Sequence, residues 1–284
     1  MRKLLIHWRW LIPLLLYSAD AHAWGLGTHV YFAQLLLWAV PLTDPRYRKA
    51  VKSFPQLVLA GACLPDLSLL GRHLGVRQLD GTHLWEHPRA QLDSADGVAE
   101  SAIALGYASH LLVDVIAHNH FVPAHEKMWL NAPMVTHVVA EWAMDSHIGA
   151  QLFIPPSELI RLHRDELAQY VARHFKCPFE AARNALLCLS GAEAGLRMAG
   201  ITQLCYGAAC ALDSGVRRRF NYYLGETTAR LADINRLLAG EEPQWHAEPS
   251  AQDARERLQS ASTLQLRHRI PLPQDLFAAA AREN

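Results

Sequence analysis

Hydrophobic positions along the chain recur at the three-to-four-residue period of buried helix faces, and hardly anywhere with the alternation of a half-buried strand. Thr28 reads as the cap of an apolar run from Val30 to Val40, and Asp44-Pro45 as a cap followed by a first-turn proline. The same period predicts one long helix from Ala95 to about Asn119 and another over Met134–Gln151. Beyond Pro155-Pro156, Ser157 is placed to cap Glu158–Phe175, and further helices are predicted over Pro178–Leu189, Ala192–Leu212 and Val216–Leu238. Asp80-Gly81 has turn chemistry but no strand pattern on either side. From Glu241 onward Pro, Gln and charge accumulate, so residues 244–284 read as a partly irregular tail with room for one short helix. The pattern predicts an all-α, single multi-helix domain over residues 24–243, with no heptad and no internal repeat.

The amino terminus has a different pattern. Met1-Arg2-Lys3 is a basic start, Leu11 to Tyr17 an apolar run, and Ala21-His22-Ala23 a small-x-small cleavage pattern. Arg9 and Asp20 leave an apolar stretch too short to span a hydrocarbon layer of about 30 Å. Residues 1–23 are therefore expected to be a signal peptide cut after Ala23, giving a secreted or periplasmic protein. Cutting there takes away Arg2, Lys3, Arg9 and Asp20 and leaves 24 basic against 26 acidic residues, a net of −2. No stable nucleic-acid partner is expected from that balance. Charged residues are 19% of the chain, too few for a disordered solvating segment. The five cysteines, an odd number without CxxC, do not form a disulfide framework, although a Cys177–Cys188 bridge stays open. They read as small apolar core residues, and the protein as a monomer.

Histidine changes the picture. Nine of the 16 fall between His73 and His147. His110, Asp114 and His118 are spaced i, i+4, i+8, which places three potential metal ligands on one narrow helix face. His137 and Glu141 repeat the i, i+4 spacing on the next helix. Imidazole and carboxylate in this pattern suit zinc, which takes nitrogen and oxygen ligands at about 2.0–2.2 Å. Hydrogen-bonded surface pairs use the same spacing, but the neighbours Leu111, Leu112, Val113, Val115 and Ile116 are apolar, and lone ionisable groups there are costly.

An ordered set of these motifs resembles the zinc-dependent phospholipase C family, an all-α family related to trinuclear-zinc nucleases. Its pieces are Trp24-Gly25-Leu26-Gly27-Thr28-His29 at the expected mature start, Pro65-Asp66, the His110/Asp114 pair and the His137/Glu141 pair. The resemblance implies three zinc ions and a phospholipid substrate met in transient contact at a membrane surface. It implies as ligands the α-amino nitrogen and carbonyl oxygen of Trp24, together with His29, Asp66 as bridging carboxylate, His83, His110, Asp114, His137 and Glu141. Asp66 is also the implied general base, although a purely metal-bridging role fits the sequence equally. Glu141 stands where the related nucleases usually have Asp, which favours a phospholipase.

One position departs from the family pattern. Many members carry the next His six residues after the Asp, following a proline, which here gives His120. No proline lies between Asp114 and His120, so an unbroken helix would keep His118 on the metal face instead. Both stay candidates, with His118 preferred. His87 is a rival to His83, His125 a residue for the surroundings of the centre, and Trp129 and Trp142 core or pocket wall. Arg217-Arg218-Arg219 reads as a solvated helix face. Loops near Arg72–Gly81 and Phe121–Pro133 would set headgroup choice. A single-strand nuclease or nucleotidase on the same core, and a non-catalytic zinc-binding envelope protein, are the alternative functions.

Overall fold

The computed structural model of the 284-residue chain describes residues 25–129, 133–247 and 275–277. The expected leader, Trp24 and most of the tail lie outside the described residues. In chain order the helices are α1 (Leu26–Ala39), α2 (Pro45–Ser53), α3 (Pro55–Gly61), α4 (Ser68–Leu74), α5 (Glu86–Ser94), α6 (Gly97–Ile116) and α7 (Val122–Met128). They continue with α8 (Pro133–Ile148), α9 (Pro156–Leu162), α10 (Arg164–Phe175), α11 (Phe179–Met198), α12 (Ile201–Leu212), α13 (Val216–Arg230) and α14 (Ile234–Leu238). No strand occurs among the described residues, and the fold is all-α.

The organising element is α6. Ser101 through Ile116 are all buried, and α1, α2, α3 and α5 pack around it. With the turn that follows and α7 it forms one helical run, Gly97–Met128, apolar and long enough to cross a membrane by composition. Its apolar window is wholly buried, so it serves as a core helix. Two glycines set how closely α3 crosses α6. A Cβ on Gly106 would stand 2.0 Å from the Val58 carbonyl oxygen, and one on Gly61 2.4 Å from that of Ile103. Backbone is met in both cases, so no side-chain movement relieves the clash. The crossing brings the end of α3 against the ligand-bearing half of α6.

The sequence pattern and the structure differ at several boundaries. Thr28 lies inside α1, and its hydroxyl donates to Asp145 rather than capping its own helix. Asp44 does cap α2, accepting from the Arg46 N–H. The helix expected over Glu158–Phe175 is interrupted at His163, and Ser157 donates its own N–H to Glu193 instead of capping. Further on, α11 runs unbroken through residues 189–192 and ends before Gly200, which takes the left-handed conformation (φ 69°) that glycine tolerates. All five cysteines are free; Cys63 and Cys177 are buried, but Cys188 is exposed and Cys205 and Cys210 are half-buried. Arg217 and Arg218 are exposed, whereas Arg219 is buried and paired with Asp213. Of the segment read as a tail, Gln244 and Leu276 share a backbone hydrogen bond, and Ala247, Leu276 and Phe277 are buried on the helical core.

Candidate metal centre

Six stretches of chain deliver the side chains. His29 comes from the first turn of α1, Asp66 from a 3-10 turn (Pro65–Leu67) behind α3, and His83 from the turn before α5. His110 and Asp114 lie on α6, and His137 and Glu141 on α8. His118 and His120 lie in a π-helical turn, Ala117–Phe121, that joins α6 to α7. All nine are buried, His110 and Asp114 completely. Three or more carboxylates in an apolar helical core would be strongly unfavourable without compensating positive charge.

Asp114 is the hub. Its Oδ2 lies 2.9 Å from Nε2 of His110 and 3.5 Å from Nε2 of His83, and its Oδ1 lies 3.3 Å from Nε2 of His29. Oδ1 of Asp66 is 3.8 Å from Nε2 of both His83 and His110, and those two nitrogens are 3.2 Å apart. A tetrahedral zinc with bonds of about 2.0–2.2 Å holds its ligand atoms roughly 3.3–3.6 Å from one another. His83, His110, Asp66 and Asp114 therefore converge at the separations of one zinc ligand set. The rings of His29 and His110 stack with centroids 3.4 Å apart, and His29, Asp66 and His110 form a second group close enough to share an ion. Neither ring nitrogen of His29, neither oxygen of Asp114, nor Oδ1 of Asp66 makes a directed hydrogen bond among the described residues. Buried polar atoms are normally satisfied, and a nitrogen-and-oxygen donor set left open in this way fits a divalent cation such as zinc.

The residues behind this set fix its orientation. Nδ1 of His110 is 2.8 Å from the Ala62 carbonyl, which can only accept, so Nδ1 carries the proton and Nε2 points its lone pair inward. The Tyr107 hydroxyl donates to the Thr82 carbonyl, and the Thr82 hydroxyl donates to the Pro65 carbonyl. One side-chain chain thus ties α6 to the turns holding His83 and Asp66. Asp145 performs the equivalent task for His29. Its carboxylate accepts from the N–H groups of Gly27 and Thr28 and from the Thr28 hydroxyl, anchoring the start of α1. Sequence reasoning missed Asp145, Tyr107 and Thr82. A signal for Asp145 was present, because His137, Glu141 and Asp145 continue the i, i+4, i+8 spacing.

Charge in the centre is strongly coupled. Burial pushes Asp66 up to about 8 and Glu141 up to about 7, with neighbouring carboxylates adding to both shifts. Burial also pushes Asp145 up, to about 6. Burial opposes ionisation of Asp114 too, but His29 and His110 beside it hold its carboxyl well below the usual range. Burial lowers the pKa of His137, yet Glu141 and Glu126 outweigh that and raise it to about 10. A divalent cation reverses this balance, holding the carboxylates ionised and the imidazoles neutral.

On the α8 side, Nε2 of His137 lies 2.7 Å from Oε1 of Glu141, and the His118 and His137 rings are 5.8 Å apart. Nε2 of His118 is 3.8 Å from Oδ1 of Asp114, whereas the His120 ring packs toward Trp245, at 5.8 Å. The turn carrying both is π-helical, not the unbroken α-helix assumed from the missing proline, and such bulges often mark functional positions. His87 packs on Phe175 and not in the centre. His125 is buried behind it, bonded through Nδ1 to the Phe121 carbonyl, and burial drives its pKa down to about 3. The centre opens on a cavity of about 400 Å³ whose wall includes Asp66, Glu141, Asp145, Trp142, Leu69, Leu152 and Leu196. That volume is within the range of small-molecule sites. Trp129 lies elsewhere, donating to Asp213.

No curated protein and no solved structure matches the chain. Residues 28–177, more than half its length, match the model of one protein family, described as zinc dependent phospholipase C. The match takes in each ligand candidate from His29 to Glu141 together with Asp145. With an all-α fold, a buried His/Asp cluster of zinc-ligand spacing and this match, the chain belongs to the zinc-dependent phospholipase C family.

Proposed function

We propose that the protein is an exported phospholipase C that uses three zinc ions to cleave glycerophospholipids to diacylglycerol and a phosphorylated headgroup. The observation that carries this reading is the convergence of His83, His110, Asp66 and Asp114, at 2.9–3.8 Å from one another in the pairs measured, beside a cavity that Asp66 also lines. Those four would hold one zinc. His29 and Asp114 would hold a second with the Trp24 backbone, and His118, His137 and Glu141 a third. Bound zinc supplies Lewis-acid charge to a phosphodiester and lowers the pKa of water toward about 7.

The chain's own residues supply position and proton transfer. Asp66, buried at the cavity wall, takes the proton of the water that attacks phosphorus. The phosphorus–oxygen bond to diacylglycerol breaks as the new one forms, and the proton held by Asp66 passes to the departing diacylglycerol oxygen. Asp145 holds the start of α1, and with it His29, in register with Asp114. Leu69, Leu152 and Leu196 give the cavity an apolar wall suited to the glyceride end of the substrate. Export rests on the leader pattern of residues 1–23, and a Trp24 amine exists only after cleavage there.

The test is zinc analysis of the mature protein together with hydrolysis of phosphatidylcholine vesicles and of single-stranded DNA. Close to three zincs per chain, with phosphocholine and diacylglycerol as products, are expected. Nucleotide products, or no hydrolysis with zinc fully loaded, would overturn the reading. One Gly added before Trp24 moves the amine by about 3.8 Å and is expected to cost one zinc and most activity.

A further inference from the structure

Helix α12 has an outward face that water alone does not explain. From Met198 to Leu212 the chain has no charged residue. A surface helix ordinarily turns polar side chains outward. Here Leu204, Gly207, Ala208, Ala211 and Leu212 share the exposed side with one polar residue, Gln203, and Ala209 alone in the helix is fully buried. Leu204 is 73% and Leu212 70% exposed. Two further residues extend this surface. Met198, at the end of α11, is 79% exposed, and Phe153, on the loop before α9, is 71% exposed.

These side chains are attached to the rim of the cavity. Phe153 follows Leu152, Met198 follows Arg197, and Leu204 follows Gln203, and each of the preceding residues lines the cavity. The loop from Ile148 through Ser157 also has no Asp, Glu, Lys or Arg. Cations fringe the apolar surface. Arg197 is half-exposed at the cavity and paired with Glu193 at 3.2 Å, and exposed Arg217 extends its guanidinium over the Tyr206 ring of α12 at 6.0 Å. An apolar patch with arginines at its edge is the arrangement of segments that lie in the headgroup layer. Twelve residues of helix measure about 18 Å, short of the roughly 30 Å needed to span.

We propose that the exposed faces of α12, Met198 and Phe153 form the surface on which the protein rests against a phospholipid bilayer, with the cavity mouth facing the lipid. This rests on the proposed phospholipase activity for its purpose, since a substrate anchored in a bilayer must pass from the layer into the cavity. A second copy of the chain seated on the same rim would close that path. The surface therefore fits a membrane, into which the three rim side chains insert shallowly.

The test separates docking from chemistry. Flotation of the zinc-loaded mature protein is measured with vesicles of a phosphonate analogue of phosphatidylcholine, which cannot be cleaved, mixed with phosphatidylglycerol. The variant Phe153→Glu/Met198→Glu/Leu204→Glu is compared with wild type, and Leu204→Ile serves as the conservative control. Burial of three large apolar side chains predicts a loss of vesicle binding of about tenfold or more. Hydrolysis of long-chain phosphatidylcholine in vesicles falls in parallel. Hydrolysis of a short-chain phosphatidylcholine below its micelle concentration stays within about twofold, which also shows that the variant is folded. Unchanged flotation of the triple variant, or no flotation of wild type, overturns the docking surface. So does a wild-type dimer that the triple variant converts to monomer, because the face would then join two copies. Failure of wild type to cleave either substrate would count against the phospholipase reading alone, since flotation still decides the surface.

Discussion

On the α6 side of the centre, His110 has its proton fixed by the Ala62 carbonyl, and Tyr107 and Thr82 tie down the turns carrying His83 and Asp66. On the α8 side, His137 and Glu141 face each other at 2.7 Å, with Glu126 3.7 Å from the other ring nitrogen. The first arrangement leaves lone pairs open and aimed at a common point. The second neutralises its own charge by pairing. A cation on the α6 side meets ligands already in position, whereas one on the α8 side must displace a proton from His137 and separate an ion pair. Preorganisation thus belongs to α6 and adaptability to α8. Gradual chelation should empty the α8 side first.

The largest effect is expected where both halves of the α6 side meet. Asp114→Asn removes the anion that faces His29, His83 and His110 together and leaves the helix otherwise intact. Altering residues that merely orient ligands costs about 10–100-fold in metal affinity, so losing this shared ligand should cost more than about 100-fold. Zinc content by mass spectrometry should fall by more than one ion, with activity lost in step. Normal zinc content would remove Asp114 from the centre and dissolve the contrast between the two sides.

Glu141→Gln probes the other side alone. It should release the α8-side ion while the α6-side ions remain, lowering activity by about 100-fold or less. Zinc analysis distinguishes the outcomes. Loss of all the zinc in Glu141→Gln would mean that the two sides fill as one unit.

Much of this was readable in the sequence for a geometric reason. Residues four apart on a helix share a face whatever the tertiary structure, so His110 with Asp114 and His137 with Glu141 could be paired from spacing alone. Asp66 and His83 lie on turns, where spacing carries no such rule, and only family resemblance brought them in. The long α6 was visible as a helix because its apolar positions recur throughout. Its boundary with α7 was not, because a π-helical turn adds a residue without leaving a mark in the hydrophobic pattern. Thr28 was misread as a cap because the group its hydroxyl meets, Asp145, lies 117 residues away. The helix ending at Leu212 was legible from its period, but the period alone cannot say which face is covered.

That π-helical turn gives a finer test of how far the α6 side extends. His118 lies near Asp114 and toward His137, while His120 packs on Trp245 with its carbonyl accepting from the Tyr223 hydroxyl. His118→Ala should cost one zinc and about 10–100-fold in activity. His120→Ala should keep its zinc and lose about 1–3 kcal/mol of stability through lost packing. Denaturant melts and zinc analysis of both variants check the pair. The reverse ranking would place His120 at the α8-side ion and assign the π turn a different role.

The smallest effect concerns the protein stripped of metal, and its sign follows from the buried charges. Burial raises Asp66 to about 8 and Glu141 to about 7, and Glu141 and Glu126 raise His137 to about 10 against the opposing effect of its burial. All three folded values exceed the ordinary ones, so between pH 7 and pH 8 the folded chain binds more protons than the unfolded chain. Stability must then fall as pH rises through that window. Buried His125, lowered to about 3 by burial, has the opposite sign but acts mainly below its ordinary value of about 6.5. A loss of about 1 kcal/mol moves the melting temperature of a domain of this size by about 2–4 °C. Chelator-treated protein should therefore melt a few degrees lower at pH 8 than at pH 7. Zinc-loaded protein should show a smaller slope, because the cation keeps Asp66 and Glu141 ionised and His137 neutral at both pH values. Scanning calorimetry of the two forms decides it. A melting temperature of the stripped protein that is flat or rises over this window would mean that the centre does not hold its protons in the way the buried carboxylates and the His137–Glu141 pair require.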